Sequence, residues 1–309
     1  MKKIILLFIA VIGIMVMTCY SVSIHVSNDN DPYIITNKLS ITKGREHIEE
    51  LIEVQSFDDY QVNVDMSGVD INKKGTYYAN VIVKTNHTMI SKIIEIEVID
   101  KVVYLTFDDG PSKNTQDILD ILDRYHIKAT FFVTADNRNY KHMIKEAYEK
   151  GHTIGLHAYS HDYSSLYAST DSYFNDLKNI SDYVENIIGE KSYYIRFPGG
   201  SSNTISRKYN RGIMTQLCYL VKNRGYEYYD WNITSGDAEK THQSRDVIIK
   251  KSTTIPYDDD YLVILFHDSS TKKTTVESLD SIIQYYIMQG YTFRNIDKSS
   301  YVYHQPIYN

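Results

Sequence analysis

Cysteine is nearly absent from this chain of 309 residues, with only Cys19 and Cys218, which lie in unlike surroundings. A structural disulfide is therefore not expected, and any metal site has to use His, Asp or Glu. Cys218 falls in an apolar helical stretch with Met214, Leu217, Leu220 and Val221 and reads as a small buried hydrophobe. A basic excess is missing too: 33 Lys and Arg against 39 Asp and Glu give a net charge of -6, with no clustered basic face. That argues against nucleic acid as a partner. Long uncharged apolar runs are confined to the first 24 residues. The apolar and charged fractions, 42% and 23%, are those of a soluble globular protein. The length allows two domains, or one large domain with an appendage.

Met1-Lys2-Lys3 followed by the uncharged run Ile4 to Met17 reads as a targeting segment. Thr18 to Ile24 is uncharged as well, so residues 1–24 form either a signal peptide or a membrane anchor. With Lys2 and Lys3 held inside, both options place the rest outside the cytoplasm, in the cell envelope, touching the membrane only through this segment. A lipoprotein site at Cys19 is not expected, because Met17-Thr18 lacks the usual small residue.

Residues 31–99 alternate in the manner of β-strands, as in Tyr77, Ala79, Val81 and Val83, with turn signals at Ser67-Gly68 and Lys73-Lys74-Gly75. A small antiparallel sandwich is expected. The passage Val69 to Tyr77, followed by alternating strands, resembles bacterial Ig-like modules, which implies a spacer or wall-binding part. From about residue 100 short apolar runs alternate with helical patterns. Runs occur at Val102 to Phe107, Ala129 to Val133, Thr153 to Leu156, Tyr193 to Phe197, Tyr226 to Ile233 and Tyr261 to Phe266. Helical periods include Thr115 to Tyr125 and Tyr173 to Ile188. This is an α/β pattern, a mostly parallel sheet or β/α barrel, whose site forms at the carboxyl ends of the strands.

Polar residues collect at those ends. Val102 to Phe107 stops at Asp108-Asp109-Gly110-Pro111. Adjacent carboxylates after a buried strand need a cation or a shared proton, although an Asp-rich turn capping the next helix is an alternative. His157 and His161 stand four apart, a spacing that lets both reach one ion from a helical turn. A zincin reading fails because Ala158 stands where its Glu should be. Arg196 precedes Pro198-Gly199-Gly200, whose glycines allow backbone N–H groups to approach a substrate, or simply make a turn. Asp237 and His267 follow the later runs. His126, His142, His152, His242 and His304 match no motif and read as surface or core residues.

Taken together the motifs resemble the polysaccharide deacetylase family, the carbohydrate esterases with a NodB-like domain. Thr106 to Gly110 matches the first motif, His157 and His161 the second, Arg196 and Pro198 the third, Asp237 the fourth, and Leu265 and His267 the fifth. The resemblance spans about residues 101 to 295. It implies a distorted (β/α) barrel at 100–297, preceded by the small all-β Ig-like sandwich and followed by a tail at 298–309. It also implies a divalent metal, zinc ahead of cobalt or manganese, on Asp109, His157 and His161. Asp108 would be the general base and His267 the general acid, with Arg196 and Asp237 as charges that hold Asp108 and tune His267. The N–H of Gly199 would complete an oxyanion site, and Leu265 would line the acetyl pocket. Departures from the pattern fall at Gly199, where an aromatic residue is frequent, and at Ala238, where Trp is frequent, and should widen or flatten the substrate groove. Trp231 lies upstream and is not equated with that Trp. The implied reaction is removal of N-acetyl groups from a cell-wall polysaccharide, with peptidoglycan N-acetylglucosamine the leading substrate. Exopolysaccharide, chitin-like oligomers, acetylated xylan, or an inactive surface glycan-binding protein stand as alternatives, and protein partners are left open.

Overall fold

A computed structural model describes residues 32–45, 47–255 and 260–309, so the expected targeting segment at 1–24 lies outside the described residues. Among those described, no helix is long and apolar enough to cross a membrane.

The described chain begins with strands β1 (Tyr33–Ile34), β2 (Lys38–Thr42), β3 (Val54–Gln55), β4 (Tyr60–Asp65), β5 (Gly75–Thr85) and β6 (Met89–Ile99). Strict alternation makes β5 and β6 a long antiparallel hairpin. Ala79, Val81, Val83, Ile94, Ile96 and Val98 are buried, whereas Tyr78 and Ile93 face solvent. The sheet order is β2-β6-β5-β4, with β1 and β3 forming a separate ribbon. This does not confirm the Ig-like antiparallel sandwich. β2 runs parallel to β6, and Lys38 bridges Glu95 and Glu97 on the exposed face of that edge at 2.9 and 3.2 Å. The sheet's apolar side is covered by Ile48, Leu51 and Ile52 around a single 3-10 turn rather than by a second full sheet.

Next come β7 (Val102–Asp108), α1 (Thr115–Arg124), β8 (Thr130–Thr134), α2 (His142–Glu149), β9 (Thr153–Ala158), α3 (Tyr163–Leu166) and α4 (Thr170–Ile188). They are followed by β10 (Tyr194–Ile195), α5 (Ile213–Asn223), β11 (Glu227–Tyr228), β12 (Ile233–Thr234), α6 (Arg245–Ser252), β13 (Tyr261–His267), α7 (Lys273–Met288) and β14 (Thr292–Arg294). The strands form one parallel sheet in the order β11-β10-β9-β8-β7-β13-β12, with β14 beside the start of β7. Since β11 and β12 are unpaired edges, the sheet curls into an open, distorted (β/α) barrel.

β7 is apolar because it is central: every residue of it is buried. Phe107 stacks between Phe131 and Phe266, with ring centroids 5.2 and 5.4 Å away. Helix α1 presses Ile118, Leu119 and Leu122 inward, and α4 presses Leu177, Ile180 and Val184. Each such side chain contributes about 1.5–3 kcal/mol by leaving water. Cys218 is a free, buried thiol in α5.

One expected strand divides. Tyr226 to Ile233 is not continuous, because the chain leaves the sheet between β11 and β12. The carbonyls of Tyr229 and Asp230 turn instead to the Arg196 guanidinium, at 2.8 and 3.2 Å. The C-terminal tail returns along the same gap, where Tyr301, Val302 and Tyr303 pack with Tyr104, Tyr229 and Trp231.

Candidate active site

The carboxyl ends of β7, β9 and β13 bring most of the expected residues together. In the β7–β13 ladder His267 is paired with Asp108. After Asp108 the backbone enters the left-handed region at Asp109, with φ 69. A non-glycine residue there is strained, and such strain concentrates where a side chain has to be aimed. The turn is buttressed by Asp268, whose N–H donates to the Asp108 carbonyl at 2.7 Å. Its carboxyl accepts from Ser112 and Thr115 at 3.1 and 2.5 Å. Burial pushes that carboxyl up to about 7. Gly110 is obligatory because a Cβ there would lie 2.6 Å from Asp268 Oδ2.

Asp109, His157 and His161 converge with one ligand atom each inside a 4.8 Å cluster. Asp109 Oδ1 lies 3.6 Å from His157 Nε2 and 3.4 Å from His161 Nε2. It is buried and receives no hydrogen bond. His157 Nδ1 is 2.8 Å from the Arg196 carbonyl, which accepts from it and leaves the Nε2 lone pair facing the carboxylate. Burial pulls His157 down to about 3, so the imidazole is neutral at physiological pH. An acceptor-only carboxylate oxygen facing the His157 lone pair and His161 Nε2 has no hydrogen-bond donor, and this ligand set fits a divalent cation such as zinc. The helical-turn expectation for the histidines is corrected. His157 is the penultimate residue of strand β9, and His161 lies in the following loop at φ 48. Asp176 holds that loop by accepting from the N–H groups of Tyr159 and Ser160 at 2.7 and 3.0 Å.

Asp108 is buried, and burial pushes its carboxyl above the usual range, opposed chiefly by the charge of Arg196. The Arg196 Nη1 donates to Asp108 Oδ1 at 2.9 Å and to Thr106 Oγ1 at 2.7 Å. The guanidinium is fully buried, and its Cζ stands 4.3 Å over the Phe132 ring. Gly155 makes room for that ring, since a Cβ there would come within 2.4 Å of it.

His267 Nδ1 donates to Asp237 Oδ1 at 2.7 Å, while the His267 backbone N–H and Thr275 Oγ1 occupy Asp237 Oδ2 at 2.8 and 2.9 Å. Burial alone would lower His267, but the bond and charge of Asp237 prevail and raise it to about 9. Asp237 is correspondingly held low. Leu265 is buried on the same strand. Gly199, at φ 79, is exposed and its N–H has no acceptor among the described residues. The space a side chain at Gly199 would enter is filled. A Cβ on Gly199 would meet the Tyr163 hydroxyl at 2.9 Å and Asn203 Cβ at 3.2 Å.

Sequence reasoning passed over Asp230, Tyr163, Asp136 and Gln305. Asp230 is buried and accepts from Ser201 N and Oγ at 2.8 and 2.5 Å and from Gln305 N at 2.9 Å, which anchors the glycine loop. Asp136 lies in the loop after β8, where burial raises its carboxyl and the charges of His161 and Asp109 act on it. Only its place just beyond a strand end could have signalled it.

The fold and these side chains define a hydrolase of the barrel-shaped carbohydrate esterase class. The family description polysaccharide deacetylase matches residues 95–216. The peptidoglycan-N-acetylglucosamine deacetylase of Bacillus cereus is 30% identical over 209 residues, covering 65% of this chain and 71% of that protein. The catalytic domain of peptidoglycan N-acetylglucosamine deacetylase from Eubacterium rectale superposes with a TM-score of 0.66 at 42% identity, covering 68% of this chain and 95% of that one. The polysaccharide deacetylase Bc1974 from Bacillus cereus gives 0.57 at 31%, covering 67% and 96%. The chain belongs to the polysaccharide deacetylase family.

Proposed function

We propose that this deacetylase acts outside the cytoplasm on cell-wall glycan, removing the acetyl group from N-acetylglucosamine residues of peptidoglycan with the help of one zinc ion. The observation that carries the reading is the orphaned Asp109 Oδ1 facing His157 Nε2 and His161 Nε2, one residue from the buried Asp108. The matched relatives that act on peptidoglycan N-acetylglucosamine supply the substrate. Residues 100–297 are the catalytic domain in this reading, residues 31–99 a spacer or wall-binding module, and 298–309 a tail.

A divalent cation held by Asp109, His157 and His161 would supply a Lewis acid for the amide carbonyl and acidify the attacking water. Asp108 takes the proton as that water adds to the carbonyl carbon; burial raises its proton affinity and makes it a stronger base than an exposed carboxylate. Arg196 keeps the carboxylate aimed. The Gly199 N–H donates to the carbonyl oxygen as it becomes anionic. His267, charged through Asp237, hands its Nε2 proton to the nitrogen as the C–N bond breaks, releasing acetate and a free amine. Leu265 packs against the acetyl methyl.

The test is acetate release from peptidoglycan, chitin oligomers and acetylated xylan, with zinc, cobalt or manganese supplied. Peptidoglycan and zinc should give the fastest release. Another polymer in first place would reassign the substrate, and glycan binding without acetate release at full metal loading would make the chain an inactive binding protein.

A further inference from the structure

Tyr163 opens helix α3 two residues after His161, and its ring is fixed on three sides. Asp162 caps the helix by accepting from the N–H groups of Ser164 and Ser165. The ring stands edge-on to His161 at 5.7 Å and to Tyr167 at 5.6 Å. Tyr167 in turn donates to the Pro198 carbonyl at 2.7 Å, which ties this aromatic cluster to the glycine loop. The hydroxyl of Tyr163 ends beside Gly199, 2.9 Å from where a Cβ would be. It has no partner among the described residues and is not shut away from solvent. Tyrosine hydroxyls normally find an acceptor when buried, as those of the fully buried Tyr167 and Tyr286 do here, whereas the half-buried Tyr163 keeps its donor free for an arriving group. A rigid donor left unused beside an unused backbone N–H marks a place where an acceptor arrives with the substrate.

We propose that Tyr163 is a further catalytic residue of the reaction proposed above, on which this inference rests. Its hydroxyl donates a hydrogen bond to the acetamide oxygen, beside the Gly199 N–H, as water adds to the carbonyl carbon. The π electrons move onto that oxygen, the water proton goes to Asp108, and the negative oxygen is shared between the two donors. Collapse restores the carbonyl, breaks the C–N bond and sends the His267 proton to nitrogen. The phenol keeps its own proton throughout.

The full chain, loaded with zinc, is assayed for acetate release from peptidoglycan and chitin oligomers. Tyr163→Phe keeps the ring contacts and removes only the hydroxyl. It should lower kcat by about 10- to 100-fold, toward the lower end of what losing one oxyanion donor costs. KM, zinc content and thermal midpoint should stay at wild-type values. Tyr163→Leu should lose as much kcat as Tyr163→Phe. Wild-type kcat in Tyr163→Phe, a rise confined to KM, or loss of zinc would each overturn the proposal, the last because the ring would then merely support His161. A wild-type chain that releases no acetate from either substrate or from acetylated xylan would sink the proposed reaction and this inference together. An active wild type with an equally active Tyr163→Phe would sink this inference alone.

Discussion

Two Asp-His pairs sit side by side at the mouth of the barrel and hold their protons in opposite ways. His157 and Asp109 stay 3.6 Å apart with no proton between them, and burial keeps the imidazole neutral, down to about 3. His267 and Asp237 are 2.7 Å apart with a proton shared along the bond, and the imidazole is charged up to about 9. His157 is buried and His267 partly so, and desolvation acts in the same direction on each. The second ring nitrogen makes the difference. In His157 Nδ1 gives its proton to the Arg196 carbonyl, and Nε2 is left as a lone pair. In His267 Nδ1 meets a carboxylate whose other oxygen is saturated by Thr275 and a backbone N–H. One pair lacks a cation and the other has made its own.

The largest effect should come from breaking the first pair. Asp109→Asn replaces the orphaned oxygen with a neutral amide and removes the only negative ligand of the candidate site. Zinc content measured on the purified chain should fall to near zero, with acetate release down by more than about 1000-fold. His157→Ala should behave likewise. Retained zinc in both variants would separate the metal from this pair.

The second pair is broken more gently by Asp237→Asn. Since His267 is raised to about 9, the imidazolium is present below that pH and is lost above it. The alkaline limb of kcat should therefore fall near 9. The stabilising effect of the charged pair has the same sense: fully present below the ordinary value of 6.5, it disappears as pH rises through about 9. Removing the Asp237 charge leaves burial, which lowers the imidazole, opposed only by the charges of Asp108 and Asp109. The alkaline limb should move down by roughly 2 units and kcat at pH 8 should drop about 10-fold, with zinc retained. An unmoved limb would show that the proton donated to the leaving amine is not held by His267.

Much of this site could be read from the chain because its residues terminate strands. The apolar run into Asp108, the spacing of His157 and His161, and Leu265 before His267 all lie at the ends of β7, β9 and β13. Periodicity places such ends directly, and the helices Thr115–Arg124 and Thr170–Ile188 follow equally well. What could not be read is held by contacts with no local pattern. Tyr163 looks like any aromatic in a polar run until α3 folds it over Gly199. The division of β11 from β12 depends on Arg196, more than thirty positions earlier, claiming their intervening carbonyls. In the N-terminal module alternation gave the strands of the β5–β6 hairpin, yet it carries no information on the parallel edge, where β2 pairs with Glu95 to Ile99 of β6.

The smallest effect is expected from a residue that touches neither pair. Gln305, in what reads as a plain tail, crosses back to the glycine loop. Its Oε1 accepts from Ser202 Oγ at 2.5 Å and its Nε2 donates to the Trp231 carbonyl at 2.8 Å. Gln305→Ala deletes both bonds, while the backbone N–H that serves Asp230 remains. Asp230 also keeps its bonds from Ser201, so the loop loosens without coming free. A slackened Gly199 donor should cost about two- to five-fold in kcat, the scale of a slight misplacement rather than of a lost group. Zinc content and the alkaline limb near 9 should not move, because His157 and His267 keep every partner. A shift in either would mean that the tail reaches the pairs through the loop, and that the two proton states are less separate than their hydrogen bonds make them.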